Sequence, residues 1–461
     1  MSSLENARHA AEHSQRTVAN PMVPSAGDLF RVGSRRWFLQ AGLGSLAGLA
    51  LPALAGRAHG ASPQADKKAV ILFWLSGGPS HLDMWDPKPN APSEIRGPYR
   101  AISTAVPGIQ VCEHLPLQAR IMDRLTIIRS VDCSASNHTP ITMQAGNPLA
   151  RRTDDGNDGA GYPSMGSVAA KFRGPNDPSM PAFVGLADGW KADIWGAGHM
   201  GSDFEPLRGN ELPGRLAMPA GINVARLQDR HALRRQFDLA SHRLEQSADA
   251  RGADRFGEMA YDMVTSGKVQ RAFDITQETD AMRDAYGRQS IGEKALLARR
   301  LVESGVTFVV VSGAWGYFDH HGDEVKWGGI AKGLTPILPT VDRVMYTLIG
   351  DLANRGLLDS TLVLMMGEFG RSPMINKTAG RDHWTNVMSM LVAGGGLPTG
   401  QVIGSTDERG YAIKDGRVTP SDLAATTFRH LGINLESQWT NRQGRPIGIV
   451  TEGGRPIPGL S

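Results

Sequence analysis

The stretch AVILFWLSGGP, residues 69–79, decides the fold: seven apolar residues in a row run straight into serine, two glycines and proline. The run is too short for a helix buried all round and lacks the alternation of a half-exposed strand, so it reads as a strand buried on both faces. Similar continuous runs stand at 125–129, 306–311, 361–366 and 387–393, each stopped by a polar or glycine-rich turn. Between them lie helical patterns. Residues 291–303 keep Ala295, Leu296, Leu297, Leu301 and Val302 on one face, with Gly305 where a C-cap belongs. Residues 341–352 repeat the pattern before Gly356, and Thr419-Pro420-Ser421-Asp422 opens a third helix with a capping residue and a first-turn proline. This rhythm predicts an α/β fold, a doubly wound and mostly parallel sheet with helices on both faces.

The 461 residues carry a formal charge of only +3, which excludes a nucleic-acid or anionic-membrane partner as the reason for the composition. The N-terminus is set apart. Ser34-Arg35-Arg36-Trp37-Phe38-Leu39-Gln40 precedes AGLGSLAGLALPALAG, an apolar stretch diluted by small residues and too short for a confident span. That pattern is a twin-arginine export signal, so residues 1–61 leave the fold and the protein is expected to be periplasmic or otherwise exported, with no membrane span once the signal is removed. Residues 62–461 read as one domain, interrupted at about 147–288 by an insertion that is loop-rich at first and then charged and helical. Cys112 and Cys133 are too few for a disulfide framework, although one bridge fits an oxidising compartment. Two cysteines also exclude a four-cysteine iron–sulfur cluster within the chain.

Ligands of open α/β sheets bind beyond the carboxyl ends of the strands, and each polar cluster in this chain follows a predicted strand. SGGPSHLDMWDPKP holds Ser80, His81, Asp83 and Asp86; VDCSASNHTP holds Asp132, Ser134, Ser136, His138 and Thr139; GAWGYFDHHGDE holds Asp319, His320, His321 and Asp323; GEFGRSPMINKTAGRDHW holds Glu368, Arg371, Arg381, Asp382 and His383. Carboxylates gathered at one sheet edge repel one another unless a cation joins them, and an Asp/Glu/His set suits zinc, manganese, magnesium or calcium. Asp319 and His321, two apart, can aim at one ion from an extended loop, His383 beside Asp382 offers another pair, and Arg371 or Arg381 is expected to clamp an anionic oxyacid through its guanidinium fork. Gly77-Gly78 lacks the spacing of a dinucleotide loop.

Together, SGGPSHLDMWDPKP, NHTP, ALLARRLVESGVTFVVV with FDHHGDE, MGEFGRSPMINKTAGRDHW and LVAGGGLPTGQVIGSTDERG resemble the bacterial family known as domain of unknown function 1501, over about residues 68–434. That family is grouped with the alkaline phosphatase and sulfatase superfamily. The resemblance implies an alkaline phosphatase-like core and an exported, metal-dependent hydrolase of sulfate or phosphate esters, acting on a small-molecule or glycan ester. It places Asp319 and His321 as one ligand pair, Glu368 where the superfamily has an Asp-His pair, and His383 as the later single histidine. Ser76 takes the place of the first-strand aspartate, with Asp83 the nearest substitute. The nucleophile is implied near Ser136, with Ser134 and Thr139 as neighbours, and Ala135 and Asn137 break the pattern needed to convert Cys133 to formylglycine. The missing histidine after Glu368 leaves a second expectation open: a non-catalytic exported protein that uses the segment around Trp190 and Trp195 to bind a glycan or a protein partner.

Overall fold

The computed structural model describes residues 67–151, 159–188, 193–209, 265–313 and 317–460, with isolated positions between 229 and 263. The expected export signal, Trp190 and most of the charged stretch before residue 260 lie outside the described residues. Eight strands form the central sheet: β1 Ala69–Trp74, β2 Leu125–Val131, β3 Phe183–Leu186, β4 Leu207–Arg208, β5 Phe308–Ser312, β6 Thr361–Met366, β7 Met388–Gly394 and β8 Gln401–Ile403. Their order is β8-β2-β7-β6-β1-β5-β3-β4. β1 lies at the centre, parallel to β5 and β6, with Phe73 opposite both Val311 and Met365. Only β7 runs against the others, pairing antiparallel with β2 and β6.

The sheet is buried on both sides because the side chains of each strand alternate between two cores. In β1, Ile71 and Phe73 join a cluster with Ala295, Leu296 and Leu301 of one helix, Ser290–Ser304, and Leu338, Val341 and Leu348 of another, Thr335–Asn354. Val70, Leu72 and Trp74 join the opposite cluster, with Met165, Val168 and Ala169 of helix Met165–Phe172 and Leu423, Ala424 and Phe428 of helix Pro420–His430. The last of these begins as its sequence requires, with a Thr419/Asp422 capping box and Pro420 in the first turn. The chain is thus a doubly wound, mostly parallel α/β structure.

Two features depart from the sequence reading. The run at 387–393 reverses direction, which apolar content does not encode. The loop-rich first part of the 147–288 insertion contributes β3, β4 and helix Met165–Phe172; a four-residue strand interrupted by Gly185 carries too little pattern to stand out. Cys112 and Cys133 are free and buried, and they belong to the two opposite cores, so the sheet separates them and no bridge joins them. Among the described residues, no helix is long and apolar enough to cross a membrane.

Candidate metal centre

The site is built on close approach at the carboxyl ends of β1, β5 and β6. After β1 the backbone turns through Gly77 and Gly78, at φ +106° and +86°. A Cβ on Gly77 would lie 2.5 Å from the Asp319 nitrogen, and one on Gly78 would lie 2.5 Å from the Phe369 ring. Only glycine lets the loops that carry Asp319 and Glu368 close over the first strand end. The freed Gly77 N–H donates to Glu368 Oε1 at 2.8 Å.

Asp319 is the hub. His321 Nε2 and His383 Nε2 each lie 3.0 Å from its Oδ1 and 2.9 Å from each other. His138 comes from the loop after β2, with its Nε2 3.4 Å from Asp319 Oδ2 and its Nδ1 2.9 Å from Glu368 Oε1. One ligand atom from each of His138, Asp319 and His383 falls within 4.8 Å of the other two. His383 is held in place by a two-residue ribbon, His383–Trp384 against Gly370–Arg371, so that strand pairing fixes its approach. The histidines remain about one-third open (His321 32%, His383 33%), whereas Glu368 is 2% exposed, so the centre has a wet mouth and a dry floor.

The electrostatics follow. Burial works to raise Asp319, but hydrogen bonds from His138 and His383 and the Arg371 guanidinium hold its carboxyl far below the usual range. Burial opposes charge on His138, yet Asp319 and Glu368 outweigh it and lift its pKa to about 9. Burial pushes His383 down, with Asp319 pulling the other way. Glu368 Oε2 is buried and has no hydrogen-bond partner, an arrangement that costs free energy unless something polar or cationic approaches it.

Asp319, His321, Glu368 and His383 are thus brought together. The other expected residues are placed differently. Asp83 faces Arg381, not the centre: Arg381 donates through Nε to Asp83 Oδ2 at 2.7 Å and through Nη2 to Oδ1 at 3.1 Å, and both side chains are about 1% exposed. The remaining Arg381 donors go to the carbonyls of Ile95, Ser372 and Pro373. Arg371 donates to the carbonyls of Gly78 at 3.0 Å and Arg381 at 3.1 Å, to those of Gly77 and Phe318, and to Asp319. Neither guanidinium keeps its fork for a substrate oxyanion; each ties strand-end loops together. Ser136, 7% exposed, has its hydroxyl on Asn137 O at 3.4 Å and makes no bond to the cluster.

Sequence reasoning assigned no role to His138, although the residue stands in a polar segment at a strand end and within the NHTP motif. It also passed over Asp193. This carboxylate is 1% exposed and accepts from Ser76 Oγ at 2.7 Å and Ser312 Oγ at 2.9 Å, which joins the ends of β1 and β5. Burial raises its pKa to about 6, against the two hydroxyls. Trp195 donates its indole N–H to Tyr162 O at 2.8 Å and packs on Ile141, Ala145 and Ala150.

A family model described as "Protein of unknown function (DUF1501)" matches residues 67–460. No curated protein matches this sequence. Among solved structures, the PsFucS1 sulfatase from Pseudoalteromonas sp. is similar at 12% identity and a TM-score of 0.39, over 80% of this chain and 68% of that one. Ps i-CgsB in complex with k-i-k-neocarrahexaose is similar at 11% identity and TM-score 0.36, over 80% and 73%. The lipoteichoic acid synthase LtaP from Listeria monocytogenes follows at 10% and 0.35, over 85% and 74%.

Proposed function

Because this chain belongs to the DUF1501 family, whose description carries no reaction, we propose from the centre itself that it is an exported metal-dependent hydrolase of sulfate or phosphate esters. The observation that carries the reading is the convergence of three histidines on one carboxylate from three separate loops. The donor set fits a divalent ion of the zinc or manganese type. In tetrahedral coordination with metal–ligand bonds of about 2.1 Å, ligand atoms stand about 3.4 Å apart, and the separations of 3.4 Å from His138 and 3.0 Å from His383 to the Asp319 carboxylate lie close to that spacing.

His138, Asp319 and His383 would hold the ion, with His321 at the open side. Glu368 takes a supporting role: its Oε1 accepts from His138 Nδ1, which turns Nε2 toward Asp319. Arg371 fixes the Asp319 loop on the Gly77-Gly78 turn and supplies a permanent positive charge beside the carboxylate. A bound divalent ion would supply Lewis acidity toward an ester oxygen and make a water molecule acidic near neutral pH. The chain's own groups orient that chemistry and keep its floor dry. The twin-arginine pattern supports export of the folded, loaded protein.

The test is hydrolysis of a panel of aryl and sugar phosphate and sulfate esters by protein taken from its exported compartment. Turnover lost on chelation and restored by one divalent metal is expected. Failure to cleave any ester with the metal bound would leave the scaffold as a binding protein.

A further inference from the structure

The loop between β2 and helix Ile141–Ala145 carries three hydroxyls, one thiol and one imidazole, and Thr142 adds a fourth hydroxyl in the helix's first turn. Only the imidazole reaches the centre. Cys133 is fully buried, and burial pushes its thiol up, out of reach of the thiolate form. Ser134 caps the Asp132 carboxylate, its N–H 2.8 Å from Oδ1. Ser136 turns to Asn137 O at 3.4 Å, and Thr139 donates to Asn137 Oδ1 at 2.6 Å. Thr142 donates to Ala150 O at 2.7 Å, one side of a local knot. Ser134, Ser136 and Thr139 spend their hydroxyls within the loop and Thr142 spends its hydroxyl on Ala150, so that none of the four is bonded to the cluster.

His138 is poorly arranged to attack. Its Nδ1 is engaged by Glu368, and its Nε2 faces Asp319. Its flanks are closed by Phe369 and His383, ring centroids 5.6 and 4.7 Å away. At the neighbouring strand ends, Ser76 and Ser312 give their hydroxyls to Asp193. Resting on the hydrolase reading above, we infer that the described residues give the centre a positioning imidazole and no nucleophile, so that ester cleavage is a single displacement by water with no covalent enzyme intermediate. The oxygen of water forms the new bond to phosphorus or sulfur as the ester oxygen departs with the electron pair of the broken bond. The proton lost by the water ends on the departing alkoxide, giving the alcohol and the free oxyanion.

Two readouts test this on the full-length metal-loaded protein. In the first, turnover of the best phosphate or sulfate ester found is quenched in milliseconds, with one sample in acid and one in base, and the 130–151 peptide is weighed. The expectation is unmodified peptide in both; a peptide heavier by one phosphoryl or sulfo group, on any side chain, overturns the inference. In the second, the stereochemical course at an isotopically chiral phosphate monoester is followed: inversion is expected, and retention overturns it. Both failures leave hydrolysis itself intact, whereas absence of cleavage of any ester by metal-loaded protein removes the hydrolase reading and this inference with it.

Discussion

Replacing Arg381 with methionine tests whether the arginine belongs to the scaffold or to the reacting centre. The change leaves the Asp83 carboxylate, 1% exposed, without its bidentate partner and with Ser80 Oγ, 2.5 Å away, as its remaining side-chain donor. Removing one member of a buried ion pair costs about 3–5 kcal/mol, and stranding the carbonyls of Ile95 and Ser372, both bonded by Arg381, pushes toward the upper end. An unfolding entropy of about 2.1 cal/mol/K per residue over about 390 residues gives about 0.8 kcal/mol/K, so the melting temperature should fall by about 4–6 °C. Differential scanning calorimetry reads the shift, and elemental analysis of the folded fraction should show unchanged metal per chain. The double variant Asp83→Leu/Arg381→Met should recover at least half of the loss, because it removes the stranded charge. A melting temperature within about 1 °C of the parent, or metal lost from folded Arg381→Met protein, would refute the assignment.

The remaining predictions concern the floor of the site and the core. Glu368→Gln should weaken metal binding by about 10- to 100-fold while leaving the fold intact, since Glu368 acts through His138; competition against a chelating dye measures it. Asp193, lifted by burial to about 6, holds its proton more tightly folded than unfolded. The stability it contributes is therefore present below about pH 4 and lost as pH rises through about 6, and Asp193→Asn should flatten that part of the urea-unfolding pH profile. Cys112, pushed up by burial to about 12, and Cys133 should ignore a thiol reagent in the native protein and both react after unfolding.

Much of the scaffold was legible because strands buried on both faces advertise themselves: AVILFW and TLVLMM are uninterrupted, and the observed β1 and β6 fill those runs. Strand direction was not legible, because the reversal of β7 is set by where its neighbours lie in space. At the centre, Asp319, His321, Glu368 and His383 stood out as titratable residues just past strand ends. What sequence could not supply was pairing. Asp83 and Arg381 are 298 positions apart and satisfy each other in the core, and Arg371 spends its fork on carbonyls that no residue name reveals. His138 stayed without a role for the opposite reason: its partners, Glu368 and Asp319, come from loops 230 and about 180 residues away.

The most direct test of the central claim is the metal content of untagged, purified protein, measured by elemental analysis beside His138→Ala and His383→Ala. The account predicts one divalent ion per chain in the parent and its loss from both variants, each still folded by circular dichroism. A parent protein that takes up no divalent ion, or variants that retain it in full, would contradict it.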